Sequence, residues 1–105
     1  MRRPIVELLY FDGCPNHLGT KELVERVATE VGVDLDLRLI EVRRPEDAYR
    51  MRFLGSPSIR IDGHDVEPGA DDREQFEYAC RVYRTDAGLA GQPAADWVRA
   101  ALVKP

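Results

Sequence analysis

Two cysteines and two histidines carry the soft-ligand and nucleophilic chemistry of this 105-residue chain. The first cysteine stands in Phe11-Asp12-Gly13-Cys14-Pro15-Asn16-His17, between an apolar run and an amphipathic stretch. At such a strand-to-helix junction a sulfur meets unpaired backbone N–H groups and the positive end of the helix dipole. Both favour thiolate over thiol. A thiolate is a nucleophile or a soft-metal ligand near neutral pH. Pro15, read as the first helical residue, is preorganised for a helix start and fixes that geometry. The plainer alternative is that Cys14 is an ordinary small, semi-buried residue. His17 follows about one helical turn later, so its ring is expected on the sulfur side of the first turn. As imidazolium it would stabilise a thiolate; as a neutral ring it would relay a proton or bind a metal. An exposed polar residue without a role is the third option, and the residues leave all three open.

The second segment is Gly55-Ser56-Pro57-Ser58-Ile59. A proline directly before a strand cannot donate a ladder hydrogen bond and adopts the cis form at low cost. A rigid turn is its simpler reading. The third is Cys80, which shares a helical stripe with Phe76, Ala79 and Tyr83, so the spacing predicts a helix over 71–84 with the thiol facing the body of the protein. Core packing is the competing role, free cysteine being among the most buried residue types.

The elements that must position these residues follow from apolar patterning. Ile5 to Phe11 is apolar at every position but Glu7, which suits a strand covered on both faces and stopped by Asp12-Gly13. Leu23, Val24, Val27, Ala28 and Val31 repeat with helical spacing up to Gly32, a C-terminal stop. Leu35, Leu37 and Leu39 alternate with Asp36 and Arg38, as in an edge strand with one drier face. Pro45 opens a short helix with Glu46 and Asp47 in its first turn, and Ala48, Met51 and Leu54 as its buried stripe. Residues 58–61 and the segment around Val66, joined by Asp62-Gly63-His64, read as a β-hairpin. A last helix carries Trp97, Val98, Ala101 and Leu102 on one face. The order is β-α-β-α-β-β-α, with an extra segment at about 69–92 before the last helix.

Length fits a single domain spanning 1–105. With Lys+Arg 15 and Asp+Glu 19 the net charge is −4, which argues against nucleic acid or anionic membrane as partners. No apolar run approaches the roughly 20 residues of a spanning helix. Met1-Arg2-Arg3-Pro4-Ile5 carries charge but no long apolar stretch follows before Asp12, so no signal peptide is expected. Two cysteines are too few for a disulfide scaffold, and the cytoplasm is the expected location. Arg43, Arg44, Arg50 and Arg52 are interleaved with Glu41, Glu46 and Asp47 and read as a solvated face. Asp71-Asp72 reads as the cap of the 71–84 helix, His64 as an exposed turn residue and Trp97 as core. No glycine-rich phosphate loop, metalloprotease pattern or Ser/His/Asp arrangement occurs. No cofactor is called for.

A strand, a cysteine ahead of a helix, and a Gly-x-Pro-Ser-apolar loop entering an Asp-Gly hairpin together resemble the thioredoxin-fold superfamily. Cys14-Pro15-Asn16-His17 stands at that family's Cys-x-x-Cys, and Ser56-Pro57 at its cis-proline loop. The resemblance spans Ile5 to Glu67 and the last helix. It implies a mixed four-stranded sheet flanked by helices, with Pro57 cis and its loop packed beside the reactive sulfur, presenting backbone groups to a substrate. Pro15, Ser56 and Pro57 are then substrate-facing. His17 occupies the place of the resolving cysteine, so Cys14 acts as a monothiol resolved by an external thiol, or Cys80 is its partner. More loosely, the Cys-Arg-Val-Tyr segment is similar to short bacterial proteins grouped with alkylmercury lyases, in which two thiolates hold mercury and an acid protonates the carbon. Cys14 and Cys80 would be those thiolates and Asp12 the nearest acid.

Three functions are in view. The leading one is a thiol-dependent redox protein: Cys14 attacks a disulfide or oxidised thiol, of a small molecule or a protein, His17 supports the thiolate, and Cys80 resolves. The second is a soft-metal or organomercurial-handling protein using Cys14, His17 and Cys80. The third is a non-enzymatic binding module that kept the fold without turnover.

Overall fold

In the apolar run near the amino terminus, alternate residues serve two different cores. The computed structural model describes residues 3–103; Met1 and Arg2, part of the amino-terminal reading, and Lys104 and Pro105 lie outside them. Strand β1 (Ile5–Tyr10) sends Val6 and Leu8 to one face and Leu9 to the other, all three buried. Its interior position explains this. Strand β2 (Asp36–Glu41) pairs with it in parallel, and β3 (Ser58–Ile61) antiparallel. With β4 (His64–Asp65) the mixed sheet has the order β2-β1-β3-β4.

One face packs against helix α1 (His17–Val31) and helix α3 (Ala95–Val103). There Val6, Leu8, Ile59 and Ile61 meet Leu23, Val24, Val27, Val98 and Leu102. On the other face Leu9 packs with Val42, Phe53 and Ala48, the last from the short helix α2 (Pro45–Arg50). The β2 edge position agrees with its alternating pattern, although Leu39 is half exposed and the drier stretch ends at Leu37. Asp62 (φ 52) and Gly63 (φ 86) are both left-handed, the geometry of the tight hairpin turn that Asp-Gly favours.

Two expectations need correction. Helix α1 starts at His17 with Asn16 as its cap, so Pro15 lies in the preceding turn. The reason is local: the Asn16 carbonyl accepts both the Thr20 N–H (3.0 Å) and the Thr20 hydroxyl (2.9 Å), which fixes the first helical bond there. Second, no helix spans 71–84. A 3₁₀ turn (Ala70–Asp72) is followed by extended chain and then the hairpin β5 (Tyr83–Thr85) and β6 (Gly88–Ala90). Burial here alternates, with Arg81 and Tyr83 inside and Cys80, Val82 and Arg84 outside. That period is two, not 3.6. Asp71 therefore caps no long helix; its carboxylate accepts the Asp65 N–H (2.9 Å) and pairs with exposed His64 (3.1 Å).

The extended segment is tied to the loop before β3. Glu77 N–H donates to the Phe53 carbonyl (2.9 Å) and Ser56 N–H to the Ala79 carbonyl (2.8 Å). Gly55 (φ 116) makes this approach feasible, since a Cβ there would lie 2.9 Å from the Arg81 Cβ and 3.1 Å from the Ala79 oxygen.

Candidate functional site

Cys14 lies in the β1–α1 loop, two residues before the Asn16 cap, and is only 5% exposed. Its N–H donates to the Phe11 carbonyl (3.2 Å), closing a tight turn with Asp12-Gly13 at its centre. His17 does not aim this contact at the sulfur. Its Nδ1 lies 2.9 Å from the Cys14 carbonyl oxygen, so Nδ1 carries the proton in that bond. The ring stacks on Tyr10, with centroids 4.5 Å apart and planes 9° from parallel. His17 thus fixes the backbone of the cysteine loop to the end of β1, a positioning contact that spacing alone did not distinguish from contact with the thiol.

The second segment adjoins the first through one side chain. Ser56 is fully buried and its Oγ accepts the Phe11 N–H (3.3 Å), three residues before Cys14. The Ser56–Pro57 peptide bond is cis. The Ser56 backbone forms a parallel bridge with Cys80: its N–H donates to Ala79 O (2.8 Å) and its carbonyl accepts the Arg81 N–H (2.9 Å). Paired residues of a ladder project to the same face, so Cys80 stands on the side from which Ser56 reaches Phe11. Both cysteines are free; Cys14 is buried and Cys80 exposed. The expectation that Cys80 faces the protein body is therefore corrected: in an extended strand it alternates outward between Ala79 and buried Arg81. The Pro57 carbonyl is occupied as well, accepting the Tyr83 hydroxyl (2.6 Å).

Arg81 is the residue that sequence reasoning missed. Its side chain is 1% exposed and donates to Asp65 (2.7 and 3.0 Å), Glu67 (2.8 Å) and Ser58 Oγ (2.9 Å). The guanidinium also lies 4.3 Å over the Tyr83 ring. Burial works against its charge, and the hydrogen bonds and charge of Asp65, with Glu67, more than reverse that, so the group is held even more firmly protonated than usual. The Tyr83 phenol is pushed above its ordinary range, chiefly by burial and against the pull of Arg81. A charged residue inside a read helix has no apolar signature; the two nearby acids Asp65 and Glu67, spaced to share one face of an extended chain, were the only hint.

The far end of the same excursion meets the cysteine loop from the opposite direction. Gly91 is small enough to admit the Asn16 amide against its backbone, and Gly19 in the first turns of α1 admits the Gln92 amide. Beside them a cleft of about 410 Å³ opens, lined by Thr85, Asp86, Gln92, Pro93 and Trp97. Trp97 is half-buried and tilts against Tyr83, with centroids 6.2 Å apart. The 69–92 segment thus contacts both the Ser56–Pro57 loop and the Asn16 turn.

The arrangement offers a buried sulfur, an exposed sulfur, and a rigid loop between their backbones. Among the described residues no three His, Cys, Asp or Glu side chains converge to hold a metal ion, so Cys14, His17 and Cys80 are not assembled as a ligand set. Among the same residues no helix is long and apolar enough to cross a membrane. No protein-family model matches this mixed α/β chain, and no curated protein matches it in sequence.

Proposed function

We propose that the protein is a thioredoxin-like, thiol-dependent redox protein in which Cys14 is the nucleophile and Cys80 the resolving thiol. The observation that carries this reading is the backbone bridge between Ser56 and Cys80, formed at the residue before the cis Pro57 and joined through Ser56 Oγ to the turn that leads into Cys14. The backbone groups that the family resemblance assigns to substrate are here engaged by the strand bearing Cys80. The chain supplies its own sulfur at that place. In the first step the Cys14 thiolate attacks one sulfur of a disulfide, the substrate S–S bond breaks, and the departing thiolate takes a proton from solvent. In the second, the Cys80 thiolate attacks Cys14, releasing the other half of the substrate and leaving a Cys14–Cys80 disulfide. The substrate is reduced by two electrons and the protein oxidised by two; an external thiol resets it. With Cys14 only 5% exposed, the reading favours a slender disulfide at the point of attack.

The test is oxidation of the full chain with oxidised glutathione, followed by peptide mapping without reductant. A Cys14–Cys80 linkage, and mixed glutathione disulfide at Cys14 in the Cys80→Ser variant, support the reading. Absence of both products at a reagent concentration that modifies Cys80 rejects it.

A further inference from the structure

Past the end of α2 a small, partly open polar pocket of about 120 Å³ is lined by Arg52, Arg60, Arg73 and Phe76, together with Asp65 and Asp71. Arg52 occupies an unusual place. It has φ 55, its N–H donates to Tyr49 O (3.2 Å), and the next N–H, of Phe53, donates to Ala48 O (2.8 Å). This is the left-handed closure of a helix end, where glycine carries the least strain. The arginine kept there lays its guanidinium 4.8 Å over the Phe76 ring. Arg60 is fixed beside it, Nη2 donating to the Met51 (2.7 Å) and Arg52 (2.9 Å) carbonyls, which leaves its other N–H groups for the pocket.

The carboxylates around the pocket are committed elsewhere. Both Asp65 oxygens serve Arg81, Asp71 serves the Asp65 N–H and His64, and Glu67 is shared by Arg73 and Arg81. Among the described residues no carboxylate lies within ion-pair distance of Arg52 or Arg60; Arg60 acts on Asp71 only through space. Arg52, Arg60 and Arg73 thus border this space with Asp65 and Asp71, and of these Arg52 and Arg60 have no ion-paired carboxylate of their own, because Asp65 is taken by Arg81 and Asp71 by the Asp65 N–H and His64. We infer that this pocket binds a small free oxyanion of the phosphate or sulfate type, with Arg52 and Arg60 as its charge partners. Guanidinium matches the paired oxygens of such an ion.

Inorganic phosphate is titrated into the full chain against sodium chloride of equal ionic strength, following the backbone amide signals of Gly63 and Arg73, which line the pocket. Saturable shifts confined to the pocket are expected. Arg52→Gly is expected to weaken binding at least tenfold without lowering Tm, because glycine relieves the left-handed position while removing the charge. Arg52→Gln, which keeps a long side chain, is expected to repeat the loss, and Arg84→Gln, on exposed β5, to bind as the parent does. Non-saturating shifts in the parent, or parental affinity in both Arg52 variants, overturn the proposal.

Discussion

Ser56 and Cys80 are joined backbone to backbone, the Ser56 N–H on Ala79 and the Arg81 N–H on Ser56, at 2.8 and 2.9 Å. A buried loop residue and an exposed thiol are thereby held in one register, and the chain between them cannot drift without breaking both bonds. This is why the thiol of an otherwise irregular segment has a defined place relative to the Ser56–Pro57 loop.

Removal of that thiol should therefore alter the second half of the reaction and leave the first. In Cys80→Ser, attack by Cys14 on a disulfide proceeds and the mixed disulfide accumulates at Cys14; in Cys14→Ser no internal disulfide forms and any adduct sits on exposed Cys80. Peptide mapping after a short incubation distinguishes the two. Equal accumulation in the parent and in Cys80→Ser would remove Cys80 from the mechanism.

Gly55 controls the approach of the two segments. Gly55→Ala places a methyl group against Arg81 Cβ and the Ala79 carbonyl at a left-handed φ. A loss of about 1–3 kcal/mol is expected from the backbone conformation alone, with the contact adding to it. Urea unfolding at pH 7 measures this.

The Arg81 cluster should show the asymmetry of buried ion pairs. Arg81→Ala leaves the buried Asp65 side chain without its cation and Glu67 with Arg73 alone, and a loss of about 3–5 kcal/mol is expected. Combining Arg81→Met with Asp65→Asn and Glu67→Gln removes the charges together, and should recover most of that loss. If the triple variant is less stable than Arg81→Ala, the cluster contributes more than mutual compensation.

Tyr83 gives a pH dependence with a definite sign. Its folded-state value is raised above the ordinary 10.0, so above about pH 10 the unfolded chain releases the phenolic proton while the folded chain keeps it. The unfolded state then binds fewer protons, and stability falls as pH rises, by up to about 1.4 kcal/mol per pH unit for this one group. Tyr83→Phe loses the hydrogen bond to Pro57 but should show a shallower decline between pH 10 and 11. Denaturant midpoints across that window test it; equal slopes in the two proteins would reject the assignment.

The parts of the fold written in apolar periodicity were readable from the chain alone. Val6, Leu8 and Leu9 marked a strand covered on both faces, Leu23 to Val31 a one-sided helix, and Asp62-Gly63 a tight turn, because each rests on local geometry. The 71–84 segment was misread because Phe76, Ala79, Cys80 and Tyr83 fit a helical stripe while Arg81, the residue that decides the face, looked like a solvent residue. Its burial depends on Asp65 and Glu67, which come from a different strand and its following turn. The hydrogen bond that ties the Ser56–Pro57 loop to the end of the first strand, Phe11 N–H to Ser56 Oγ, has no trace in spacing. His17 opens the helix rather than standing a helical turn inside it, and its ring nitrogen meets the Cys14 carbonyl while the ring stacks on Tyr10, contacts that spacing does not foretell.

The stretch Arg73-Glu74-Gln75 is exposed and carries no regular structure, but the chain is fastened before it by the Arg73–Glu67 pair and after it by the Glu77–Phe53 bond. A cut between Glu74 and Gln75 would leave two pieces that share a hydrophobic interior through Val98 and Leu102 and an ionic lock through Arg81. That junction is thus the place where a break in the chain is expected to disturb the Ser56–Cys80 register least.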